Sequence, residues 1–229
     1  MSIGRVKSTT AKRILVAAVA LVLTASARVC LANVVAAEHI PADQVFSMNI
    51  HTNRVAAQTI TSSAAGEIVS VVLPLWHFED IDFPPTADLS IELWGVDGSG
   101  LPDETDVLAN RTVTIAEGNP DSSTLVFHTI DFSADAINLD IGDELAIVAL
   151  SNSAQGITAW NWTMTFDGNP YGGGEMFVDN LDGNGWIPRI NDTDADLGFV
   201  LNVTPEPSSL LLLGLTGGLV TLRRRSRKN

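Results

Sequence analysis

Between Lys12 and Lys228 the sequence contains no lysine. Residues 33–204 hold only three basic side chains, Arg54, Arg111 and Arg189. Of the 27 acidic residues only Glu206 lies outside that stretch, which leaves 26 within it and a net charge of −23. The formal net charge of −14 hides this split, because the other ten basic residues sit near the two termini. So acidic a surface repels phosphate and excludes DNA and RNA as partners. It suits divalent cations, cationic partners, or simply a self-repelling coat that keeps the protein dispersed. Cysteine is nearly absent as well. Cys30 stands alone, so the chain cannot form an internal disulfide. The chain has no G-x-S-x-G elbow, and no two of His39, His51, His77 and His128 have the i, i+4 spacing of a helical zinc site. His77 lies close to Glu79, Asp80 and Asp82, a set able to bind a metal but equally a loop histidine among solvated carboxylates. With 26 acidic residues, carboxylate pairs suited to glycoside hydrolysis arise by chance and carry no weight. The expectation is a protein that is not an enzyme.

The termini are richer. Arg5, Lys7, Lys12 and Arg13 precede an uncharged apolar run over 14–23 and then small residues, the order of a secretory signal peptide. Cleavage fits after Ala27, after Ala32 or after Ala37, the first two lying nearest the apolar run. Arg28 and Val29 before Cys30 do not make a lipobox. The expected signal peptide is residues 1–32, with signal peptidase as its partner, and a cut after Ala32 leaves a mature chain without cysteine. At the other end stand Pro205, Glu206 and Pro207, an apolar run over 210–222, and then Arg223, Arg224, Arg225 and Arg227. A helix rising 1.5 Å per residue needs roughly 20 residues to cross a core about 30 Å thick. Residues 208–222 fall short of that and include Gly214, Gly217 and Gly218. Snorkelling arginines and local thinning let such a helix span, with the basic end cytoplasmic. Tripeptide, single membrane helix and basic terminus in this order resemble the PEP-CTERM sorting signal of bacterial exosortase systems. The resemblance implies an exosortase-like enzyme that cleaves near the tripeptide of a membrane-held precursor. Residues 205–229 are expected to form this signal.

Residues 33–204 suit one secreted domain. Residues 68–76 (I-V-S-V-V-L-P-L-W) are apolar and β-branched, and Leu89, Ile91 and Leu93 alternate with Ser90 and Glu92. Val113 and Ile115 alternate with Thr112 and Thr114. Further strands are expected over 125–130, 145–150, 157–166, 175–178 and 197–203, separated by turn clusters at 97–100, 118–121, 141–143 and 182–185. No helical period is sustained in this part. The predicted fold is all-β, an antiparallel β-sandwich of jelly-roll type. Residues 57–60 (A-Q-T-I), 68–76, 89–94 (L-S-I-E-L-W), 95–102 (G-V-D-G-S-G-L-P) and 141–148 (I-G-D-E-L-A-I-V) run in the order seen in the secreted bacterial modules called choice-of-anchor domains. From about residue 57 to 203 the chain resembles them, a likeness that implies a fold and no activity.

Two constellations remain. Asp179 and Asp182 lie in one oxygen-rich run, and Asp192, Asp194 and Asp196 in another. Calcium takes six to eight oxygens, so these five carboxylates are candidate calcium ligands. The competing reading is Asx-turn chemistry, in which Asp and Asn hold their own backbone. No other cofactor is expected. Trp160 and Trp162 stand two apart and share a strand face; with Trp186 they are candidates for stacking on a sugar, or for ordinary core packing. The leading expectation is an exported, non-catalytic cell-surface or extracellular-matrix protein, associated with exopolysaccharide as the sorting family implies. The alternatives are a carbohydrate-binding module using exposed Trp residues and a hydrolase with an unrecognised site.

Overall fold

The computed structural model describes residues 32–41, 46–77, 88–113, 125–152, 160–165, 171–188 and 195–205. No helix occurs among them, and so none long and apolar enough to cross a membrane; nearly all of the expected signal peptide and the whole candidate span 208–222 lie outside the described residues. Residues Asn33–Pro205 gather into one compact unit. Its strands are β1 (Val34–His39), β2 (Phe46–Ile50), β3 (Val55–Thr61), β4 (Gly66–His77), β5 (Leu89–Val96), β6 (Pro102–Val113) and β7 (Val126–Asp131). They continue with β8 (Asn138–Leu139), β9 (Glu144–Ser151), β10 (Trp160–Thr165), β11 (Met176–Asp179), β12 (Ile187–Pro188), β13 (Asp196–Leu197) and β14 (Phe199–Thr204). They form two antiparallel sheets. One runs β1-β14-β4-β10-β13, with β7 and β8 also on β4 and β2 also on β10; the other runs β12-β11-β3-β9-β5-β6.

The alternation read from the sequence gives each sheet an apolar face. Leu89, Ile91 and Leu93 of β5 and Leu145, Ile147 and Ala149 of β9 belong to the same buried cluster as Val71, Leu73 and Leu75 of β4 and Leu201 and Val203 of β14. One core shared by both sheets makes the unit a sandwich, as predicted. Burying these side chains stabilises the fold by roughly 1.5–3 kcal/mol for each large one. A polar clamp crosses the core. Gln58 of β3, fully buried, donates from Nε2 to Asp196 Oδ1 at 2.9 Å and accepts at Oε1 from the Leu197 amide at 2.8 Å, tying β3 to β13 in the opposite sheet.

Residues 197–203, expected as one strand, are two. Leu197 pairs with Met164 of β10, whereas Val200 pairs with Val72 of β4. The break is at Gly198, where an added Cβ would collide with the rings of Pro74 and Pro41. Pro74, inside β4, has no amide to donate, and its carbonyl accepts from Thr163 Oγ1 at 3.0 Å, while pairing with β7 runs on through Pro74 and Phe127. The ladder forks there, and β10 wedges between β4 and β13. The edge strand β6 was not foreseen along its acidic start. Its register with β5 shifts on both sides of Trp94, and Asp103 Oδ1 accepts the amide of Thr105 at 2.9 Å. Bulges and carboxylates of this kind blunt a sheet edge against stray pairing. At the other end of β6, Arg111 pairs with Asp135 and donates from Nε to the Asp131 carbonyl at 2.9 Å, clasping the two sheets.

Candidate functional site

The three candidate tryptophans do not share a surface. Trp160 and Trp162 both point inward from β10 and are 1% and 0% exposed. The Trp162 indole donates to the Gly198 carbonyl at 2.6 Å, and Trp160 meets the His128 ring edge-on with centroids 5.9 Å apart. A buried indole has no free face to offer a sugar, so the pair is core and not a stacking platform. Trp186 is half-buried and packs with the apolar patch on the outer face of the six-stranded sheet, edge-on to Trp94 at 6.0 Å. Period two correctly put Trp160 and Trp162 on one face; it was silent on which face lies inside.

The carboxylates also part company. Asp179 Oδ1 accepts the Leu181 amide at 2.7 Å, and Asp182 Oδ1 accepts the Asn184 amide at 3.0 Å. Both bonds are Asx turns, and they support a loop in which Leu181, Gly183 and Gly185 all take positive φ. Asp192 and Asp194 lie outside the described residues. Asp196, expected in the same loop, is instead 1% exposed on β13, with Oδ1 on Gln58 and Oδ2 on the amide of Tyr171 at 2.9 Å. It is spent on the clamp between the sheets. Among the described residues no three of His, Cys, Asp and Glu gather into a metal-binding group. Glu79, Asp80 and Asp82, grouped with His77 above, lie outside the described residues.

Burial lowers the pKa of three histidines below the ordinary 6.5, since an imidazolium loses hydration on leaving water. For His39 the nearby Asp196 opposes this, and for His51 the neighbouring Arg54 adds to it. Just below pH 6.5 the unfolded chain therefore binds more protons than the folded one, and stability falls as pH drops through that range. The melting temperature should decline from pH 7.5 to pH 5.5, a window above the carboxylate range of about 4. A flat or rising profile would show that these imidazoles do not couple to folding.

A preformed groove opens on the same outer face of the six-stranded sheet, and no sequence motif announced it. Its volume is about 310 Å³. One wall is the β5–β6 turn, held by Asp97, whose Oδ1 accepts the amides of Ser99 at 2.7 Å and Leu101 at 3.0 Å. The other is the strap of residues 173–175, laid flat on β3. Thr61 Oγ1 donates to the Gly173 carbonyl at 2.6 Å, and Thr59 Oγ1 accepts the Glu175 amide at 2.9 Å. Gly174 permits this approach, because an added Cβ would collide with the Thr59 carbonyl. Val96, Leu101, Phe177 and Pro188 give the groove apolar lining, and Glu144 and Glu175, both exposed, stand at it.

The described part of the domain ends where β14 hands over to Pro205. Glu206, Pro207, Arg223, Arg224, Arg225 and Arg227 lie outside the described residues. Residues 203–228 match the model of the PEP-CTERM protein-sorting motif. No curated protein matches the chain. The motif is that of exported proteins held at the membrane until an exosortase processes them, and it marks this chain for export and surface sorting.

Proposed function

We propose that this chain is a non-catalytic component of the cell surface or extracellular matrix, associated with exopolysaccharide and released from a membrane-held precursor. The observation that carries the reading is the sorting motif over residues 203–228. It begins inside β14, which pairs with β1 on one side and β4 on the other. The exosortase then works on the peptide that directly follows a folded domain. The net charge of −23 over residues 33–204 keeps such a domain soluble once released. The signal peptidase cut falls after Ala27 or Ala32. A cut after Ala37 would remove Val34 to Ala37 from β1, including the buried Ala36, whose carbonyl accepts the amide of Ser63 at 2.8 Å. Calcium bound by Asp192 and Asp194 is a secondary proposal, resting on their oxygen ligands alone.

Replacing Pro205, Glu206 and Pro207 with alanine leaves the apolar run 208–222 and the basic terminus intact. The variant should accumulate as an uncleaved, membrane-held precursor, seen as the larger species in the membrane fraction by intact mass. Processing and release at the parent's rate would sink the sorting mechanism.

A further inference from the structure

We propose that the groove on the outer face of the six-stranded sheet binds the lysine side chain of a basic partner protein. An alkylammonium needs an apolar channel for its stem and anionic oxygens for its head. Val96, Leu101 and Phe177 line the channel. Glu144 and Glu175 supply the oxygens: both carboxylates are exposed, and among the described residues no basic side chain lines the groove and neither carboxylate has a partner. The walls are fixed in advance by the Asp97 turn and the Thr59–Glu175 and Thr61–Gly173 bonds. The ordering cost of binding therefore falls largely on the ligand.

The same bonds weigh against a sugar. The hydroxyls of Thr59 and Thr61 are already committed to the strap, and Phe177 is 4% exposed, so the groove offers few free hydrogen-bonding groups and no open aromatic face. A second copy is excluded as the occupant, because residues 33–204 contain no lysine. The partner is another protein, drawn to the domain by its net charge of −23.

The test uses the exported, processed protein and a fluorescein-labelled peptide of glycine, serine and lysine, followed by anisotropy at 0.15 M salt. The variant Glu144→Gln/Glu175→Gln removes two charges at the groove. The variant Glu38→Gln/Glu104→Gln removes two exposed charges elsewhere. The groove variant should bind about tenfold more weakly, the control within about twofold of the parent, and a peptide with norleucine for lysine should fail to bind. Equal losses in the two variants would reduce the effect to the overall field and overturn the proposal. So would a glucosamine oligomer that binds more tightly than the peptide and loses affinity in the groove variant, since the ligand would then be an amine-bearing glycan.

Discussion

Trp162→Ala should remove about 3–5 kcal/mol of folding stability, the cost of emptying a large buried site. Trp162 is 0% exposed and its indole satisfies the Gly198 carbonyl, so truncation leaves both a cavity and a buried acceptor without its donor. Against the 5–15 kcal/mol that holds an ordinary domain together, the variant stands near unfolding. Trp186→Ala is the comparison. Its ring is half-buried and meets Trp94 edge-on, and such a pair adds only about 0.5–1.5 kcal/mol beyond its buried area. Urea unfolding followed by circular dichroism separates the two. Equal small losses in both variants would mean that Trp162 does not pack in the core, and would reopen the sugar-stacking reading of Trp160 and Trp162.

Asp196→Ala should cost roughly 3 kcal/mol, because a carboxylate serving buried donors is worth more than a neutral acceptor. The Tyr171 amide loses its acceptor, and Gln58 Nε2 is left donating only to the Thr59 carbonyl at 3.1 Å. The loss should be the same in millimolar calcium and in chelator. Calcium held by the folded state at a hundredfold excess over Kd would add about 2.7 kcal/mol. If Asp196→Ala destabilised only the calcium-loaded protein, Asp196 would be a ligand and not a clamp. Asp194→Ala, measured alongside, tests calcium at the neighbouring carboxylates separately.

The strands that are apolar on alternate positions were legible. Residues 68–76 fall within β4 and 145–150 within β9, and Leu89, Ile91 and Leu93 point inward as expected. Their period and their burial have one cause, since a half-covered strand buries every second side chain. The acidic start of β6, just after the turn at 97–100, carried no strand expectation. It pairs all the same, because an edge strand with one neighbour tolerates exposed carboxylates. β3 carries Gln58 at its centre and does not look like a core strand until its partner is known. That partner, Asp196, stands 138 residues away, so no local pattern could announce it. The groove was hidden for the same reason: its walls, the 97–101 turn and the 173–175 strap, meet only across the sheet.

By itself the sequence determined the C-terminal sorting motif, the concentration of acid in the middle and the all-β class. Each depends on residue type or short-range order alone: the order of tripeptide, apolar run and basic terminus for the motif, charge for the acidic middle, period two for strands. Only the tertiary structure decided which face of β10 lies inside, which Asp carboxylates hold a turn and which one bridges the sheets, and where a groove opens. Those outcomes depend on what the second sheet places opposite each side chain, and strand periodicity carries no information about the opposite layer.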